Sequence, residues 1–330
     1  MRIGHLLSFV HNSVLVMPFI FLSINIAEGK IVNGIESTDY QIDIAARYCA
    51  VSIYVNDISV ISNDSGKQVS ALVGIGEYLK RTGNTIRVDV WDPSREDEAF
   101  TPDSYCHISL KARDRFESVN LDLVGEINFR PSDKASFNTS EKAFIDTVVT
   151  NTHWGKATSP SQAVYLADKK YYQLTRNFDI RSDYPVWMWD KSPDLVSKNE
   201  TFESLHPEKI ERLKAAYTEF WQALNSGDLE QIKALNKELI SESITANGGS
   251  EEFFFKYMGF IELYNSEDFA DYKLMPLDFS KSKIKFHLDK KLVSFSDTPI
   301  RFERQNDPDG NYTEFNPKFR LAGDKFVIAR

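Results

Sequence analysis

Hydrophobic positions between Val51 and Trp91 alternate with polar ones, change period once, and then alternate again. Val51, Ile53 and Val55 have polar or amphipathic neighbours, which is the two-residue period of a half-buried strand. Asn56-Asp57 has the chemistry of a tight turn, so we predict that "ISVIS" returns as the second strand of a hairpin. "SALVGIGEYLK" has helical spacing, and "TIRVDVW" alternates again after Gly83-Asn84. This order predicts an all-β layout with one short helical crossing.

Further strand patterns extend to residue 190, and they predict a β-sandwich domain over 30–190. The segments are "CHISLKA", "VNLDLVGEINFRP", "AVYLADKKYYQLTRNFDI" and "YPVWMWD". Between them, "AFIDTVVTNTHWGKATSP" fits either a helix or a strand.

The second half begins with a polar stretch, 191–206, that we predict to be a linker. Pro207 then starts a helix, "EKIERLKAAYTEFWQALNSGD", and Gly227 ends it. Two more helices follow, "LEQIKALNKELISESI" and the more aromatic "SEEFFFKYMGFIELYNS". Six strand-like segments from "KLMPLDF" to "KFVIAR" complete the chain. Three helices followed by an antiparallel sheet predict an α+β domain over 207–330.

Two stretches resemble known families. "SIYVND" with "IGEYLKRTGNTIRVDV" is similar to galactose-binding-like jelly rolls, such as the sugar-binding sandwich of family 2 glycoside hydrolases. The resemblance, extended over 45–190, implies a shape and not a site. "YTEFWQALNSGDLEQIKAL" with "KFRLAGDKFVIAR" resembles the nuclear transport factor 2-like fold, also called SnoaL-like, over 205–330. That resemblance implies a curved sheet that wraps the first helix into a cone, which can hold a small-molecule pocket.

The N-terminus has the features of a secretory signal peptide over 1–29. Arg2 precedes a long apolar run, and Ala27-Glu28-Gly29 supplies small residues around a cleavage point. The run is also long enough to be an uncleaved membrane anchor, which remains the alternative. We therefore expect a periplasmic or secreted protein that has no stable membrane insertion once the signal is cleaved.

Cys49 and Cys106 are the two cysteines of the chain, and each stands at the start of a predicted strand. In an oxidising compartment an even pair is expected to form a disulfide, here between neighbouring strands or facing sheets. The alternative is two buried free thiols.

The formal net charge is −9, which disfavours nucleic acid because phosphate binding needs many lysine and arginine contacts. Phosphate-binding, nucleophile-elbow and zinc-protease motifs are absent from the sequence, so we predict no cofactor and no metal. The acidic "NDPDGN" over 306–311 fits a turn better than a calcium loop.

Two groups of residues are candidates for binding. Tyr184, Trp187 and Trp189 lie in an alternating segment, and two exposed indoles on one face would form a stacking platform for a sugar or peptide. The alternative is that they fill the sandwich core.

The resemblance of the second domain directs attention to its cone, where related enzymes place an acid or histidine as a general base. The cone candidates are Tyr217, Trp221, Asp278 and His287, with Glu303 as a further acid. Alternation within the strands puts Asp278, His287 and Glu303 opposite the apolar face, so we predict that they point to solvent. Tyr217 and Trp221 are then wall residues.

These patterns favour an exported, non-catalytic binding protein whose partner is another protein, for example an immunity-type inhibitor of a toxin. A carbohydrate- or cell-wall-binding protein that uses Trp187 and Trp189 is one alternative. A small-molecule enzyme or carrier that uses the cone is the other.

Overall fold

The computed structural model describes residues 38–93, 100–101, 103–114, 120–129, 144–147, 154–159, 161–166, 171–181, 184–196, 206–305 and 312–330. The predicted signal peptide and the acidic turn at 306–311 lie outside them. The chain forms two compact units. The described part of the first unit is 38–185 with Thr245–Asn247, and the second is Val186–Ile244 with Gly248–Arg330.

The first unit is β-sandwich-like, as predicted. Its described strands are β1 (Thr38–Arg47), β2 (Ala50–Val55), β3 (Ile58–Asn63), β4 (Val69–Gly74), β5 (Asn84–Trp91), β6 (Tyr105–Asp114), β7 (Asp122–Phe129), β8 (Phe144–Thr147), β9 (Gly155–Ala157), β10 (Gln162–Leu166) and β11 (Tyr171–Ile180). One sheet has the order β4-β1-β6-β7-β8, and the other has the order β10-β11-β5-β2-β3 with β9 beside β11. All of these pairings are antiparallel. The helical spacing of "SALVGIGEYLK" is misleading for its first half, because Val69–Gly74 form a strand paired with β1, and only Gly76–Tyr78 form a short 3-10 helix.

A polar network explains the "VND … TGN" pattern. Asn56 and Asp57 both have positive φ, 49° and 66°, and turn the hairpin between β2 and β3. The Asn56 amide donates to Tyr78 O at 2.7 Å and to Asn84 Oδ1 at 2.9 Å, while Asn56 Oδ1 accepts from Thr85 N. Gly83 (φ +69°) leads into Asn84, which is fully buried. The pattern therefore serves the fold, because its side chains join the hairpin to the start of β5.

The disulfide between Cys49 and Cys106 is present, which confirms the predicted pairing. Cys49 lies in the connection between β1 and β2, which belong to different sheets, and Cys106 lies in β6 beside β1. Both cysteines are buried. The bond therefore ties the crossing between the sheets to a central strand of one of them.

The second unit begins with helices and ends with strands, as predicted. Its described elements are α1 (Pro207–Ser226), α2 (Leu229–Leu235), α3 (Lys237–Asn247), α4 (Glu251–Tyr257), α5 (Phe260–Asn265), β12 (Tyr272–Leu274), β13 (Lys283–His287), β14 (Leu292–Ser296), β15 (Arg301–Arg304), β16 (Tyr312–Glu314), β17 (Phe319–Ala322) and β18 (Lys325–Ile328). The last three residues of α3, Thr245–Asn247, are counted with the first unit. The strands form two antiparallel sheets, β12-β15-β16 and β13-β14-β17-β18.

Two details differ from the sequence prediction. The second and third predicted helices are each divided, at Asn236 and at Gly259, whose φ is +80°. The single predicted sheet is divided as well: the chain leaves β14 through Asp297, which has a φ of 52°, and begins β15 in the other sheet. The left-handed Gly259 ends α4, and its amide donates to Lys256 O at 3.0 Å. Hydrophobic periodicity does not indicate such an end.

The core of the second unit surrounds the buried face of α1. Leu213, Tyr217, Phe220 and Leu224 are buried on that helix. Leu195 and Val196, which lie within the stretch predicted as a linker, are buried in the same core. This polar-looking stretch thus carries a short apolar segment that packs against the unit that follows it.

Candidate functional site

The aromatic segment at 184–189 does not present its tryptophans to solvent. Trp187 and Trp189 are only 2% and 1% exposed. Residues 184–187 form no strand and the chain turns at 188–191, so the predicted strand is wrong. Alternation is still present, but it exposes Val186 and Met188 and buries the indoles. A stacking platform needs accessible ring faces, which neither indole offers here.

Contacts within the second unit explain this burial. The Met188 amide donates to Glu242 Oε1 at 2.6 Å, and the Arg330 guanidinium lies 5.8 Å from the centroid of the Trp189 ring. Arg330 in turn donates to Glu242 Oε2 at 2.6 Å. Tyr184 belongs to the first unit, where it is buried and its hydroxyl donates to Thr38 O at 2.5 Å. The three predicted binding residues therefore lie in two different units.

The aromatic side chains of α1 make structural contacts. Tyr217 is fully buried, with ring centroids of Phe295 and Phe319 at 5.1 and 4.9 Å. Its hydroxyl accepts from Phe295 N at 3.1 Å and donates to Pro317 O at 3.3 Å. Burial raises the pKa of this phenol above its usual range. Trp221 donates through Nε1 to Met275 O at 2.8 Å.

The two acidic candidates of the cone point outward. Asp278 is exposed, and hydrogen bonds from the Ser280 side chain and backbone lower its pKa. Glu303 is partly exposed and forms an ion pair with Arg301 at 3.3 Å. A general base needs a desolvated setting, and neither carboxylate is buried.

His287 contradicts the prediction that it points to solvent, because it is only 4% exposed. The alternation itself is right: Phe286 faces the core, and His287 shares the other face of its sheet with Leu292 and Arg320 through the strand register. That second face is also covered. His287 Nε2 lies 2.9 Å from Ser294 Oγ, which is itself buried.

Two arginines of this layer are paired with glutamates of α3. Arg320 makes two hydrogen bonds to the Glu238 carboxylate, at 2.6 and 2.5 Å, and the Arg330–Glu242 pair lies beside Trp189. Lys318 donates to Asn316 O at 3.0 Å, and burial lowers its pKa to about 8. Buried ions need such partners, so this layer is an ionic seam between the sheet, α3 and the segment at 186–196.

A polar cluster on the first unit has contacts typical of a nucleophile and its base. His107 Nε2 lies 3.0 Å from Ser109 Oγ, and Nδ1 lies 3.1 Å from Glu126 Oε1 and 2.6 Å from Asn128 Oδ1. Ser109 is only 1% exposed, however, and β6 is paired with strands on both sides, so its amides are used in the ladder. Acyl transfer needs an accessible hydroxyl and oxyanion donors. The cluster therefore fits cross-strand stabilisation.

Two of the three most exposed aromatic side chains of the described residues lie on α4; the third, Tyr48, is 44% exposed and has the Arg47 guanidinium 4.5 Å from its ring centroid. Phe253 is 54% exposed and Tyr257 is 42% exposed. Their rings are nearly parallel, with an interplanar angle of 15° and centroids 6.2 Å apart. We call Phe253 and Tyr257, together with the exposed Glu251, Glu252 and Lys256 of the same helix, the α4 aromatic surface.

Three consecutive phenylalanines in the sequence indicate this surface, although hydrophobic periodicity alone does not predict it. Consecutive helical residues are separated by about 100° around the axis, so Phe253, Phe254 and Phe255 cover about 200° of the circumference. One buried face cannot accommodate all three. Phe255 is buried, Phe254 is half-buried and Phe253 is exposed, held edge-to-face by Phe254 at 5.5 Å.

Negative charge surrounds the same helix. Lys233 of α2 lies 3.1 Å from Glu251, and its pKa is raised, first by that hydrogen bond and further by the charges of Glu251, Glu230 and Glu252. One lysine therefore faces three carboxylates. The described residues contain no cluster of His, Cys, Asp or Glu suited to a metal ion, and none of their helices is long and apolar enough to cross a membrane.

Comparison with models of protein families, with curated proteins and with solved structures gives no match to this chain.

Proposed function

We propose that this chain is an exported protein that binds another protein through the α4 aromatic surface and does not act as an enzyme. The single observation that carries the proposal is the pair of half-exposed, stacked rings of Phe253 and Tyr257. Exposed aromatic groups of this kind are enriched in the energetic centres of protein interfaces. The two alternatives have less support, because Trp187 and Trp189 are buried and Tyr217 uses its hydroxyl within the core.

The folds and the compartment enter as parts of the same proposal. The first unit is proposed to be a galactose-binding-like jelly roll and the second a nuclear transport factor 2-like domain. Export is supported by the sequence of 1–29 and by the buried Cys49–Cys106 disulfide, since structural disulfides persist in oxidising compartments. A periplasmic immunity-type inhibitor of a toxin is one role that such a binder would serve.

Site-specific photocrosslinking tests the proposed function. A benzophenone analogue of phenylalanine at position 253 keeps an aromatic ring at the surface, and the same analogue at Val164, which is 43% exposed in the first unit, is the matched control. In cells that export the full chain, we expect a crosslinked protein partner at 253 that is missing at 164. Equal crosslinking at both positions, or none at 253, would refute the proposal.

A further inference from the structure

We infer that the partner presents arginine side chains to the α4 aromatic surface, an inference that rests on the function proposed above. It goes further by naming the chemistry of the partner's contact. Three properties of the surface support it: the geometry of the rings, the sign of the surrounding charge and the small area available.

The rings are held in place before binding. Phe253 contacts Phe254 edge-to-face at 5.5 Å and stacks with Tyr257 one turn later at 6.2 Å. Gly249 stands beside them, and a side chain there would approach Phe253 to 3.5 Å. An ordered pair of rings loses little conformational freedom on binding. The surface therefore offers fixed aromatic faces to an incoming group.

The charge around the rings is negative. The segment 251–267 contains four glutamates and one lysine, which gives a net charge of −3. The neighbouring Lys233 is already engaged by Glu251. Aromatic faces attract cations, and carboxylates beside them accept hydrogen bonds from the same group. A guanidinium satisfies both because it is planar, stacks on rings and donates in a fork to carboxylates.

The same charge disfavours other occupants. Anionic lipid headgroups and nucleic acids are repelled by the carboxylates. A second copy of the chain brings its own formal charge of −9. The exposed parts of Phe253 and Tyr257 together offer on the order of 200 Å², whereas a stable dimer buries about 800 Å² per partner. A small, acidic, aromatic surface fits a cationic anchor better than a copy of itself.

Binding of defined peptides tests this inference with the full purified chain. The probes are three fluorescein-labelled peptides of equal length in which leucine alternates with arginine, with lysine or with glutamate. We expect the arginine peptide to bind the wild-type chain about tenfold more tightly than the lysine peptide, because only the guanidinium can stack and form a fork. The glutamate peptide should not bind measurably. Fluorescence anisotropy at fixed ionic strength gives the dissociation constants.

Two variants separate this surface from general attraction to an acidic protein. The double variant Phe253→Ser/Tyr257→Ser keeps every charge, and we expect it to lose most of the arginine preference. The double variant Asp64→Asn/Asp324→Asn removes two exposed carboxylates elsewhere and should leave the preference unchanged. Equal binding of the arginine and lysine peptides, or an unchanged preference in the serine variant, would overturn the inference.

The photocrosslinking experiment distinguishes the failure of this inference from the failure of the proposed function. Peptides crosslinked at position 253 are identified by mass spectrometry. Crosslinks to arginine-containing segments support the inference. Crosslinks to another protein at segments without arginine leave the proposed function standing and refute the inference. Crosslinks to lipid or to a second copy of the chain refute both.

Discussion

Removing the hydroxyl of Tyr217 tests whether the core around α1 is closed. The Phe295 amide lies in β14 just beyond the point where β14 pairs with β17, since the pairing includes Val293 and Leu292. At this position the Tyr217 hydroxyl, and not a neighbouring strand, accepts the hydrogen bond from Phe295 N, at 3.1 Å. In Tyr217→Phe the amide stays buried and loses its partner. The expected cost is about 1–3 kcal/mol, the usual penalty for an unsatisfied buried group.

Hydrogen exchange measures this cost at the residue concerned. Because about 1.4 kcal/mol corresponds to a factor of ten, the Phe295 amide should exchange about five to 150 times faster in the variant. Tyr312→Phe is the matched control, since Tyr312 loses a hydroxyl that makes no hydrogen bond within the described residues. We expect that variant to leave exchange at Phe295 unchanged.

An unchanged rate at Phe295 in Tyr217→Phe would refute the reasoning. It would mean that water or another group reaches this amide, and hence that the space around Tyr217 is open. The small-molecule carrier would then regain support, because a hollow beside a buried phenol is what such a function requires.

Three further predictions concern stability. Reduction of the Cys49–Cys106 bond, or its replacement by two alanines, should lower the free energy of unfolding of the first unit by about 4 kcal/mol, the value of the chain-entropy model for a separation of 57 residues. Urea unfolding with and without reductant measures this loss. A loss below about 1 kcal/mol would contradict the prediction. Glu242→Gln should lower the free energy of unfolding by about 3–5 kcal/mol, because it leaves the Arg330 charge buried without its counterion. Thermal unfolding measures this loss, and Glu208→Gln, which changes an exposed glutamate, is the control. Lys318 has a folded pKa of about 8 against 10.5 unfolded, so the unfolded state binds more protons between these values and stability should rise with pH across that window. Lys318→Met should be more stable than wild type at pH 7 by about 3 kcal/mol, with the difference vanishing above about pH 10; a difference independent of pH would refute the assignment.

The local patterns predicted much of the fold because their causes are local. Alternation in 51–55 and the turn at Asn56-Asp57 predicted the hairpin, and both asparagine conformation and strand pairing agree. Pro207 and Gly227 marked the ends of α1 correctly. Such residues act through backbone geometry within a few positions, which a sequence displays directly.

The same patterns failed where a second layer covers an element. Nothing near His287 in the sequence shows that the outer face of its sheet is buried, because the covering residues, Glu238, Glu242 and Trp189, lie 45 or more positions away. Arg320 and Lys318 have the composition of a solvated face, yet both are buried. The ion-pair partner of Arg320, Glu238, lies 82 positions away. Period-two alternation distinguishes two faces without showing which of them is dry.

Two features of the second unit depart from the usual order of burial: charged side chains are buried on its sheet, and aromatic rings are exposed on α4. Hydrophobic burial places charges outside and aromatic rings inside, so departures from that order need a cause. Two of the buried charges at the sheet of the second unit, Arg320 and Arg330, each form an ion pair, with Glu238 and Glu242 respectively. On α4 the aromatic rings are outside and pack mainly against one another, as in Phe253 and Tyr257. For these two arginines the departure is compensated within the chain. The exposed rings of α4 leave apolar surface in water, and binding of another molecule is the event that would remove it.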